Sequence, residues 1–197
     1  MPKQKNTKEK IVEAAIDLIA ENGYKGASVR KIAAKVGIRE SAIYNHFKNK
    51  EDILKKIFSE IFSTPIEMKD IEEKAKKGKS FLHQYAVAYK LVSFDKKMEK
   101  LFRVMMIELF QNEDLRESFL KEFHQKEIQL LSKAFFVMMQ EGVVRSADPM
   151  FMAQEFLSAL FYIRITVSLL RIDSKSTAPI ATHFEKHVDF FWESVSI

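Results

Sequence analysis

The chain has 197 residues, 47% of them hydrophobic and 12% aromatic, which is apolar enough to bury a core and too apolar for a disordered chain. It contains no cysteine, which excludes thiol catalysis, disulfides and thiolate-held zinc and fits a reducing compartment. The formal charge is +5, and residues 1–56, with thirteen Lys/Arg against seven Asp/Glu, carry all of the excess, so an anionic polymer is the expected partner of the N-terminal part alone.

The first ten residues, "MPKQKNTKEK", have no apolar leader, and every apolar run is broken by charge before about 18 residues. The expectation is a cytoplasmic protein with no membrane segment. Ile11, Ala14, Ala15, Leu18 and Ile19 form one apolar stripe on a helix that begins near Asn6 or Thr7 and stops at Asn22-Gly23. Val29, Ile32, Ala33 and Val36 repeat the pattern on a second helix of about nine residues, capped by Ser28 and ended by Gly37. A third helix follows within two or three residues and carries the pair Ile43 and Phe47. Ile53, Leu54, Ile57, Phe58, Ile61 and Phe62 define a fourth, up to Thr64-Pro65, and residues 66–80 read as a polar loop.

Further helices are expected over about 80–94, 97–111 and 114–141, the last ending at Gly142. Asp148-Pro149 is a cap followed by proline at the first helical position and opens a helix to about Arg171. Thr177 to Pro179 open a last helix that ends near Val195. No alternating strand pattern competes. The predicted fold is all-α, with about nine helices. The expected division is a three-helix helix-turn-helix DNA-binding domain over residues 1–49 and a larger helical domain for ligand binding and dimerisation over residues 50–197.

Two short helices separated by Lys35 to Ile38 match helix-turn-helix spacing, in which the second helix enters the DNA major groove. At about 100° per residue, a core direction through Ile43 places Phe47 beside it, turns Ser41, Asn45 and Lys48 outward, leaves Ala42 and Tyr44 on the flanks and puts His46 at the boundary. Amide, small and basic groups suit base edges and phosphates. A metal role for His46 lacks ligands one turn away, where Ala42 and Lys50 stand, and a general-base role lacks a nucleophile.

These residues resemble the TetR-type transcriptional regulators. The likeness runs from Ile11 to Leu54 and is densest at Gly23-Tyr24, Val29 to Ala33, Gly37-Ile38, Ile43-Tyr44 and His46 to Lys50. The resemblance implies base contacts from Glu40, Ser41, Ala42 and Asn45 and phosphate contacts from Ser28, Arg30, Tyr44, His46 and Lys50. Charge adds Lys31, Arg39 and Lys48. The sequence departs from the family at Arg39, where a Ser or Thr cap is usual, and at Lys31, where an acidic residue completes a capping box. The resemblance also implies that the last two helices pair with those of a second subunit.

No enzyme is expected, because no convergent acid, base or nucleophile set is visible, and no cofactor or metal is called for. The middle helices are rich in Phe and Met, and the polar residues that interrupt them are candidate contacts to a small effector: His83, Tyr85, Tyr89, Arg103, Glu108, His124, Gln125, Tyr162 and Arg164, with Met106 as a flexible apolar contact. The expected function is a repressor that binds a palindromic double-stranded DNA operator as a homodimer and is released by a small, largely apolar effector. A constitutive DNA-binding regulator without an effector is the alternative.

Overall fold

The computed structural model describes residues 6–61 and 70–197, without the side chains of residues 122 and 123. Among the described residues there are eleven α-helices and no named strand, with one isolated antiparallel bridge between Val144 and Ser196. The all-α expectation holds. The chain divides into two compact units, Met1–Thr64 with Lys96–Phe119, and Pro65–Asp95 with Leu120–Ile197.

The first unit opens with α1, Thr7–Gly26. Asn6 caps it reciprocally: its side chain accepts the Glu9 N–H, and Glu9 accepts the Asn6 N–H. Gly23 lies at φ 68°, ψ 169°, so the helix breaks where the Asn22-Gly23 signal predicts, and a further turn follows the break. Next come α2, Val29–Val36, capped by Ser28 and closed by left-handed Gly37, and α3, Glu40–Ile43. α3 is shorter than expected, because residues 44–46 tighten into a turn in which His46 N–H bonds to Ile43 C=O at 2.9 Å. Ile43 and Phe47 are buried all the same. α4 spans Lys50–Ile61, and the predicted end at Thr64-Pro65 lies outside the described residues. α7, Lys96–Glu108, packs on α1 and α4.

In the second unit, α5, Ile71–Ala75, replaces the expected loop: Ala75 is buried, and α5 packs on α9. α6 runs Lys79–Phe94. The single helix expected over 114–141 is three pieces: α8, Glu113–Ser118, a π-helical segment Phe119–Gln125, and α9, Lys126–Gln140. No proline or glycine marks that break, and it falls where the chain passes from one unit to the other. α10, Pro149–Ile172, starts at Asp148, whose carboxylate accepts the N–H groups of Met150 and Phe151. α11, His183–Val195, is preceded by a separate 3₁₀ turn, Pro179–Thr182.

The core of the second unit is aromatic. Phe135 meets Phe156 edge-on with centroids 6.2 Å apart, and Phe156 meets Phe191 at 5.2 Å. Each such buried ring contributes about 1.5–3 kcal/mol from area alone. Gly78 is required by space as well as by its φ of +55°, since a Cβ there would lie 2.9 Å from the Trp192 ring.

Candidate functional site

The helix-turn-helix segment holds Ile43 and Phe47 inward and leaves Arg39, Glu40, Ser41, Tyr44, Asn45, His46 and Lys48 exposed, with Ala42 half-buried. Arg30 is exposed on α2. Arg39 provides no side-chain cap to α3, as its chemistry requires, because a guanidinium has no acceptor.

Three expected phosphate contacts are engaged elsewhere. Ser28 Oγ accepts the Lys31 N–H at 3.2 Å as the cap of α2. Lys31 Nζ donates to Gly26 C=O at 2.8 Å. Lys50 Nζ donates to Tyr24 C=O and Ala27 C=O, each at 3.0 Å, and lies 3.8 Å from the centroid of the Tyr24 ring. Both lysines thus place positive charge on carbonyls at the end of α1, of which Tyr24 C=O also accepts the Ala27 N–H at 3.2 Å. Asn49, read only as part of the motif, caps α4 through the Asp52 N–H at 2.9 Å.

Tyr24 is the junction of this unit. Its N–H donates to Glu108 Oε1 at 2.9 Å, its C=O accepts from Lys50, and its hydroxyl donates to Glu51 at 2.9 Å. Burial and then the Glu51 carboxylate push the phenol well above its usual range. α7 is tied to the rest of the unit by ion pairs as well. Lys97 Nζ lies 2.7 Å from Glu60, and Asp17 pairs with both Lys100 and Lys35. Partial burial alone would raise the Asp17 carboxyl, but the two lysines outweigh it and hold the group below the ordinary carboxylate range.

The expected effector residues separate into two groups. Glu108 belongs to the Tyr24 junction, Arg103 pairs with Glu99 on its own helix at 2.8 Å, and Met106 is half-buried on α7, so all three lie in the first unit. In the second unit His83 pairs with Asp189 at 3.2 Å beside Lys79, while His124, Gln125 and Tyr162 are exposed. Amphipathic spacing cannot tell an interrupted core from a wet helix face, which is why exposed groups entered the set.

Tyr85, Tyr89 and Arg164 do converge. The two phenol rings stack with centroids 6.3 Å apart, and the Arg164 guanidinium carbon lies 5.8 Å from the Tyr89 centroid. Glu127 completes the cluster by accepting the Tyr85 hydroxyl. Sequence reasoning missed Glu127, although its place one turn before Leu131 and two turns before Ala134, both fully buried, was a readable signal. Burial raises the Glu127 carboxyl, opposed by the Tyr85 hydrogen bond and the charge of Arg164. Burial and then Glu127 lift the Tyr85 phenol far above its ordinary value, and burial lifts Tyr89 against the opposing charge of Arg164. Ser168 Oγ is sealed from solvent without a hydrogen-bond partner among the described residues, whereas the Tyr89 hydroxyl is buried beside the Arg164 guanidinium, which opposes the lift from burial. An orphan such as Ser168 Oγ costs about 1–3 kcal/mol.

Three of the exposed apolar groups of α10 also align. Phe151, Tyr162 and Leu169 are 11 and 7 residues apart on α10, close to whole turns, so they form one stripe. Tyr162 is 68% exposed, and Phe190 on α11 is 75% exposed. No helix among the described residues is long and apolar enough to cross a membrane.

Residues 11–57 match the family description "Bacterial regulatory proteins, tetR family", and residues 80–194, more than half of the chain, match "AefR-like transcriptional repressor, C-terminal domain". The fatty acid metabolism regulator protein of Bacillus subtilis (strain 168) is 49% identical over 76 residues, which are 37% of this chain and 39% of that protein. The match therefore spans well under two thirds of that relative's length. SmeT of Stenotrophomonas maltophilia, in complex with triclosan, shares the fold with a TM-score of 0.68 at 17% identity, over 98% of this chain and 93% of that one. A Saccharomonospora viridis protein in complex with choline does so with a TM-score of 0.67 at 19% identity, over 98% of this chain and all of that one. By both parts of its sequence, the chain belongs to the TetR family, whose members are transcriptional regulators and not enzymes.

Proposed function

We propose that the protein is a homodimeric repressor that reads a palindromic operator through α3 and the turn after it and is released by a small, largely apolar effector bound in the second unit. The observation that carries the DNA reading is the split of one short segment. Ile43 and Phe47 anchor it, and Ser41, Asn45 and Lys48 stand exposed on the most basic part of the chain. Asn45 suits an adenine edge, Ser41 and Ala42 suit close approach to bases, and Arg30, Arg39, Tyr44, His46 and Lys48 suit phosphates. Glu40 would accept from a cytosine amino group. Ser28, Lys31 and Lys50 hold the ends of α1 and α2 rather than the polymer.

The dimer reading rests on the aligned stripe of Phe151, Tyr162 and Leu169, with Phe190 on the next helix. The release reading rests on the interior cluster of Tyr85, Tyr89, Glu127 and Arg164, and it draws support from the relatives held with triclosan and with choline. One residue, Asp95, separates α6, which bears Tyr85 and Tyr89, from α7, which bonds to Tyr24 through Glu108. Displacing α6 therefore pulls on the helix that fixes the α1 break, with a coupling of order 1–3 kcal/mol.

The test uses an operator selected by the protein from a randomised duplex pool. Asn45→Ala should weaken that operator by about 1–3 kcal/mol and leave non-specific duplex unchanged. Lys48→Ala should weaken both alike and reduce the slope of log K on log salt by about 1. If neither substitution alters binding, α3 is not the reading element.

A further inference from the structure

The first turn of α1 brings one more cation to the edge of the segment that carries Asn45 and Lys48. Lys8 Nζ lies over the Phe47 ring, 5.4 Å from its centroid. Lys8 is exposed and Phe47 is buried, so the aliphatic stem of the lysine covers the ring while its ammonium stays in water. The face of the ring attracts that charge as well. Phe47 is the direct neighbour of His46 and Lys48, both exposed. The Lys8 charge therefore stands beside the two groups read as phosphate contacts at the end of the segment.

Many other lysines of the first unit are already engaged. Lys31 and Lys50 donate to carbonyls, Lys35 and Lys100 pair with Asp17, and Lys56 and Lys97 pair with Glu60. Among the described residues no carboxylate pairs with Lys8. The adjacent Glu9 is turned back to Asn6, whose backbone N–H and side-chain Nδ2 it accepts at 3.1 and 3.4 Å. Lys10 is exposed too, but it lies about 200° from Lys8 around the helix axis.

A lysine gives up rotamer freedom when it binds an anion, and one already held against a ring gives up less. We propose that Lys8 contacts a phosphate of the DNA backbone beside the half-site, so that the DNA-binding surface extends from the helix-turn-helix to the start of α1. The proposal rests on the reading of α3 and the turn after it as the DNA-reading element. A phosphate contact carries no sequence information, so its effect falls on affinity and salt dependence and not on operator choice.

Lys8→Met separates the charge from the cover, because a flexible thioether side chain can still lie on Phe47. Binding of the full-length wild type, Lys8→Met, Lys8→Arg and Lys175→Met to the selected operator and to an unrelated duplex is measured over a range of salt concentrations, with the thermal midpoint in parallel. Lys175 lies in the second unit, paired with Asp173, and controls for the loss of one positive charge. Lys8→Met should weaken both duplexes alike, about three- to tenfold at about 0.1 M salt, and reduce the slope of log K on log salt by about 1 for each subunit bound. Its Tm should not change, and Lys8→Arg should bind as the wild type does.

A wild-type slope in Lys8→Met, whatever its Tm, overturns the phosphate contact and leaves Lys8 as a cover for Phe47. An equal loss of slope in Lys175→Met overturns it as well, since the effect is then one of net charge. If Asn45→Ala and Lys48→Ala alter binding and Lys8→Met does not, only the Lys8 contact is wrong. If none of the three alters it, the reading through α3 falls with the proposal.

Discussion

Lys50 carries a charge that phosphate recognition would use, yet its ammonium is bonded to two carbonyls at the end of α1 and lies over the Tyr24 ring. Those carbonyls belong to residues 23 and 26 positions earlier in the chain. Loss of two charge-assisted bonds and a cation–π contact at a half-buried site should cost about 1–3 kcal/mol. Lys50→Ala is therefore expected to lower the urea midpoint while leaving the salt slope of non-specific DNA binding unchanged. A slope reduced as much as that of Lys48→Ala would return Lys50 to the phosphate contacts. The same reasoning applies more weakly to Lys31, which makes a single bond to Gly26 C=O.

At the scale of elements, the break in α1 is the feature on which the first unit turns. Gly23 takes φ 68° and ψ 169°, a region that side-chain-bearing residues rarely enter, and a Cβ there would be in ordinary contact with Ile107 and Glu108, 3.8 and 3.9 Å away. The obstacle to alanine is thus the backbone and not the space. Gly23→Ala should destabilise by about 1–3 kcal/mol, visible in denaturant melts, and should weaken DNA binding further than stability alone explains. The helices with strong local punctuation were legible in the sequence: the start near Asn6, Ser28 with Gly37, Asp148 with Pro149. α5 and the π-helical segment were not, since α5 lies in a polar run and the break at Phe119–Gln125 carries no local breaker. The site followed the same rule. Periodicity separated Ile43 and Phe47 from Asn45, whereas the fold-back of Lys50, the Tyr24–Glu108 bond and the convergence on Glu127 depend on residues distant in sequence.

For the whole molecule, the proposed two-fold pairing predicts a concentration-dependent assembly that one charge should undo. Tyr162→Glu or Phe190→Glu places a carboxylate within an apolar stripe that a second copy would cover. Sedimentation velocity should then show a monomer in place of a dimer, with helix content retained. Operator affinity should fall far more than the single-site contacts account for, because the second half-site is lost. A dimer that survives both substitutions would place the interface elsewhere.

The discontinuity of the first unit also sets an order on synthesis. α1 and α4 pack on α7, which the ribosome makes only after α5 and α6. Until residue 108 has left the exit tunnel, the Tyr24 N–H lacks its Glu108 acceptor, and α1 and α4 lack the α7 contribution to their apolar cover. The segment proposed to read DNA emerges first and completes its folding only after later helices have appeared. A nascent chain stalled near residue 64 is therefore open to proteolysis and to chaperone capture rather than a working miniature of the regulator.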